Sequence, residues 1–102
     1  MKPFVYRLLP PRPSFPQDMT QEEAAIMQAH GVYLRGLAAN GEAVAFGPVL
    51  DPKGAWGVGI FQVASAERMG EIARNDPAIL SGRGFAYEVL PMAALVTATG
   101  AI

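Results

Sequence analysis

Histidine occurs once in this chain, at His30, and it falls on the apolar stripe of a predicted helix. Imidazole is the side chain whose ordinary pKa, about 6.5, suits it to move protons at working pH. A second candidate is Asp76, immediately before Pro77 at the end of a later predicted helix. If the two meet, they form an imidazole–carboxylate pair, with His30 as general acid or base and Asp76 fixing its tautomer and stabilising the imidazolium. Both residues also have plain structural readings. His30 suits a core histidine bonded to a main-chain carbonyl, and Asp before Pro is an ordinary helix N-cap. A carboxylate has two oxygens, so capping and orienting can coexist.

Five further residues are candidates for contact with a small ligand. Arg7 lies on a strand in the side-chain phase opposite to its aromatic neighbours, as does Glu88, so the two either pair across a sheet or line a pocket. Ser14, with Arg12 and Phe15, sits on a proline-rich loop that is either a lid or a plain connection. Tyr33 is a core residue or an acid. Gly47 and Pro48 close a strand, where glycine leaves main chain open to a ligand or simply makes a turn.

The elements that must position these groups can be read from pattern. Phe4 to Leu9 reads as a strand, and Pro10, Pro11, Pro13 and Pro16 turn the next ten residues into a loop. Thr20-Gln21-Glu22-Glu23 is a capping box that starts a helix running to about Ala39, before Asn40-Gly41. Its apolar face is Ile26, Tyr33 and Leu37 with Ala29, Leu34 and His30. Gly31 and Gly36 each cost about 1 kcal/mol against alanine there, which suggests close approach of the helix to the sheet or a ligand. Glu42 to Val49 and Ala55 to Val63 form a hairpin about Asp51-Pro52-Lys53-Gly54. Ser65 caps a helix from Ala66 to about Arg74. Asp76-Pro77 opens a short turn or helical piece, and a last strand covers Phe85 to Leu90, stopping at Pro91. The tail after Met92 has no assignment. The order β-α-β-β-α-β is that of the α+β ferredoxin-like sandwich.

At 102 residues, 51% hydrophobic and 17% charged, the chain reads as one apolar domain over residues 1–102. Two helices cover one face of a four-stranded sheet, yet these strands are apolar on both alternations. The uncovered face is therefore expected to pack on a second copy, making a homodimer. A net charge of -1 gives no footprint for nucleic acid. RNA-recognition motifs share the element order, and Lys53-Gly54-Ala55-Trp56-Gly57-Val58 is near their third-strand pattern, but Ala55 intrudes and Gly59 breaks the alternation. The absence of cysteine removes disulfides and thiolate chemistry, and with a single histidine no multi-histidine metal site is expected within the chain. No motif implies a cofactor. The N-terminus has no signal-peptide pattern and no run approaches the roughly eighteen apolar residues of a membrane span, so a cytoplasmic location is expected.

The stretch from Met19 to Leu37 with Glu23, His30 and Tyr33, then Gly41 and Gly47-Pro48-Val49, resembles the first half of a YciI-like (YCII-related) protein. Asn75-Asp76-Pro77, Gly82, Tyr87-Glu88-Val89 and Pro91 resemble its second half. The resemblance implies a ferredoxin-like fold that dimerises as an α+β barrel. It also implies a site on a histidine and an aspartate, here His30 and Asp76, and lyase-type chemistry on hydroxylated aromatic rings. The proline-rich loop is longer than in the shortest members. The expected function is general acid/base proton transfer, a lyase or isomerase acting on a small organic molecule. The alternative is a small-ligand-binding or accessory protein that does no chemistry.

Overall fold

A computed structural model describes residues 1–101. The chain order is β1 (Lys2–Leu9), α1 (Gln21–Ala39), β2 (Ala43–Val49), β3 (Trp56–Val63), α2 (Ala66–Arg74), α3 (Pro77–Leu80), β4 (Ala86–Pro91), β5 (Val96–Thr97) and β6 (Gly100–Ala101). The first four strands form one sheet in the order β2-β3-β1-β4, with every neighbouring pair antiparallel. This is the ferredoxin-like arrangement, in which each helix connects two strands separated by a third. Among the described residues no helix is long and apolar enough to cross a membrane.

Alternation along β1 decides which side becomes the core. Phe4, Tyr6 and Leu8 are buried beneath the helices, while Val5, Arg7 and Leu9 are half-exposed on the other face. Phe61 and Val63 of β3 extend the covered face, and Met69, Ile72 and Ala73 of α2 close over it. Tyr6 meets Phe61 edge to face at 6.0 Å between ring centres. The open face carries Val58 and Ile60 beside Val5 and Arg7, with Leu90 exposed at its margin.

Both predicted caps form. Thr20 Oγ1 accepts from Glu23 N at 3.1 Å, Glu23 Oε1 accepts from Thr20 N at 3.0 Å, and Ser65 Oγ accepts from Arg68 N at 3.1 Å. α1 buries Glu23, His30, Leu34 and Leu37, but Ala29 is exposed, so the buried stripe is narrower than its apolar residues suggest. Gly36 is also exposed, with open space around it, and marks no close approach. The last strand pairs through Pro91, opposite Phe4, instead of stopping before it. β4 is an edge strand, where a residue without an N–H breaks no ladder. The unassigned tail forms a small ribbon in which Val96 pairs with Ala101 and Thr97 with Gly100.

Candidate functional site

Pro77 disfavours helical geometry for the residue before it, so Asp76 leaves the path of α2 with φ -58° and ψ 127°. It then caps α3, where Oδ1 accepts from Ala78 N at 2.9 Å. The break drives the carboxylate inward, and Asp76 is 0% exposed. Two more donors reach it there. Tyr6 O–H donates to Oδ2 at 2.7 Å, and His30 Nδ1 lies 2.9 Å from Oδ1 and 2.8 Å from Oδ2. Three donors converging on one buried side chain suit an ionised carboxylate, which only accepts. Nδ1 is therefore the protonated nitrogen of His30. Burial first, and the Asp76 carboxylate second, push the Tyr6 phenol far above its usual range, so it remains a donor.

With Nδ1 committed to Asp76, Nε2 carries the free lone pair of the neutral ring. Among the described residues it has no hydrogen-bond partner, and His30 lines a cavity of about 460 Å³. That volume lies within the usual range for small-molecule sites. The lining includes Leu8, Met27, Leu34, Phe46, Trp56 and Phe85, with Tyr6, His30 and Arg35 as polar side chains and, among the described residues, no carboxylate.

The proline-rich loop roofs the same cavity through Pro10, Phe15 and Pro16. Phe15 is buried and meets Phe85 edge to face at 5.5 Å. Arg12 fastens the loop to α1 by two 2.7 Å hydrogen bonds to the Glu23 carboxylate, and its Nε donates to Asp18 Oδ1 at 2.9 Å. Hydrogen bonding from Arg12 and then from Thr20 N draws the Glu23 carboxyl down from 4.5 to about 2.

The sequence candidates divide between the cavity and other duties. His30 and Asp76 come together, and Gly47 and Pro48 line the cavity. Arg7, Ser14 and Tyr33 do not line it. Arg7 donates to Glu88 Oε1 at 2.7 Å on the open face and stacks 4.3 Å from the centre of the Trp56 ring. The Ser14 hydroxyl donates to Asp18 Oδ2 at 2.6 Å on the outer side of the loop. Tyr33 donates to the Ile72 carbonyl at 2.9 Å, tying α1 to α2. Tyr6, absent from the candidates, did carry a signal: a phenol in the buried phase of β1 needs a partner for its hydroxyl.

The sequence matches the model of the YCII-related domain over residues 4–93. Among solved structures the fold is similar to 5-chloro-2-hydroxyhydroquinone dehydrochlorinase (TftG) from Burkholderia phenoliruptrix AC1100, in complex with 2,5-dihydroxybenzoquinone. The TM-score is 0.62 at 25% identity, covering 87% of this chain and 90% of that one. Comparison with curated protein sequences gives no match.

Proposed function

This chain belongs to the YCII-related domain family, and we propose on that premise that it is a small acid/base enzyme, a lyase or isomerase of hydroxylated rings. The observation that carries the reading is a buried Asp76 hydrogen-bonded to His30 Nδ1, with His30 itself lining a largely apolar cavity of about 460 Å³. The hydroxylated, chlorinated ring in the name of the similar dehydrochlorinase, and the quinone bound to it, favour the same substrate class.

In the proposed reaction His30 Nε2 takes the proton of a ring hydroxyl. The O–H electron pair moves into the ring, and His30 returns the proton to a ring carbon, giving the keto isomer. Where that carbon bears a halide, the halide leaves as its anion while His30, again a free base, takes a second hydroxyl proton, which completes an elimination. Asp76 is a positioning residue that holds the ring and balances the transient imidazolium. Such a base contributes about 10²- to 10⁴-fold in rate. Two copies joined through the open sheet face, as an α+β barrel, would cover Val5, Val58 and Ile60. Sedimentation at micromolar concentration tests this assembly, and a monomer there removes it.

The test of the chemistry is turnover of hydroxylated and halogenated hydroquinones by wild type and His30→Ala, with folding followed by circular dichroism. Loss of about 10²-fold or more in a folded variant is expected. Turnover that survives the substitution removes His30 from the mechanism. Wild type that binds the rings without turning them over leaves the site as a binding pocket.

A further inference from the structure

The arginines of the chain are unevenly satisfied. Arg7, Arg12, Arg68 and Arg83 each hold a carboxylate, and Arg74 lies in the last turn of α2, where a cation suits the helix end. Arg35 is different: it lines the cavity, and among the described residues its guanidinium has neither a salt bridge nor a hydrogen bond. Gly31 explains where the side chain goes. A methyl group at position 31 would lie 3.3 Å from Arg35 Nη1, so the side chain runs back along α1 over the glycine, as long helical side chains do. The guanidinium therefore lies at the level of the residue next to His30. The neighbour of position 31 is the end of a side chain four residues on, not the sheet.

From this we infer that Arg35 is a binding residue for an anionic oxygen on the ring substrate, so that the site selects phenolates, enolates or carboxylates over neutral rings. The inference rests on the proposed ring-binding function and narrows its substrate class. No carboxylate lines the cavity to compete for the guanidinium. Arg35 is itself exposed to solvent, and its planar fork matches two oxygens at once. A ring anion held there also places its hydroxyl-bearing edge within the same cavity as Nε2, so binding and proton transfer share one orientation.

Calorimetric titration with 2,5-dihydroxybenzoquinone, an acid that is anionic at neutral pH, and with its neutral dimethyl ether tests the inference. The His30 ring signals in NMR report whether each probe reaches the site. Arg35→Met is expected to weaken the anion about 10- to 100-fold, the range of a charge-assisted hydrogen bond, and to leave the ether unchanged. Raising the salt concentration should weaken the anion in wild type and much less in the variant. Equal loss for both probes, or loss for neither, overturns the role of Arg35 while ring binding stands. If wild type binds neither probe, the ring-binding reading falls and this inference with it.

Discussion

Glu23 and Asp76 are buried carboxylates at the starts of helices, and each accepts a hydrogen bond from nearby main chain. Their remaining partners differ. Glu23 faces Arg12, a guanidinium that stays charged at any ordinary pH, and the pair does no more than hold a loop in place. Asp76 faces a phenol and an imidazole, a side chain that serves as both proton donor and proton acceptor. The same functional group in similar burial is a fastener in one setting and, in the proposed function, part of a proton-transfer unit in the other. What separates them is whether the partner can exchange a proton, together with the open cavity on the far side of that partner.

The larger disruption is expected at Asp76. Replacing Asp76 with Ala leaves the Tyr6 hydroxyl, His30 Nδ1 and Ala78 N without an acceptor in the core, and should cost about 3–5 kcal/mol by urea denaturation. A cost near zero would mean that water or another group takes over all three donors. Tyr6→Phe removes one donor and keeps the ring packed on Phe61. A loss of about 0.5–2 kcal/mol is expected, with the nitrogen spectrum of His30 still showing protonated Nδ1 and bare Nε2. A change of tautomer in that variant would make Tyr6 part of the positioning machinery as well.

The mildest effect belongs to the other carboxylate. The Glu23 carboxyl titrates at about 2 in the folded protein, below its ordinary 4.5, so its charge stabilises the fold above pH 4.5. That contribution fades as the pH falls from about 4.5 through about 2. Glu23→Gln keeps a capping-box side chain and removes the charge together with one of the two oxygens that accept from Arg12. Thermal unfolding should show the variant below wild type at neutral pH, with the gap narrowing across that window. A gap that stays constant down to about pH 2 would assign it to shape and not to charge.

Most of the framework was legible because its signals are local. The capping box from Thr20 to Glu23, the Ser65 cap and the turn at Asp51 involve neighbours in sequence. The His30–Asp76 juxtaposition was accessible because a lone histidine and an Asp-Pro step each have few roles. Arg7, Ser14 and Tyr33 were harder, since a long or polar side chain turns toward whichever partner the fold supplies. Glu88, Asp18 and the Ile72 carbonyl are the partners in these cases. Ala29 was misplaced because an apolar residue at the margin of a stripe costs little when exposed. Gly31 resisted reading for a related reason, its neighbour being the end of a long cationic side chain and not another element.

Trp56, the single tryptophan, bridges the two sides of the molecule. Its indole N–H donates to Asp51 at 3.1 Å, Arg7 of the open face stacks on its ring, and the residue lines the cavity rim. The protein thus carries its one indole fluorophore at the junction of its internal space and its bare sheet surface. Its emission should respond both to a molecule entering the cavity and to a second copy covering Arg7. Dilution in the absence of ligand would separate the two optical signals without any label.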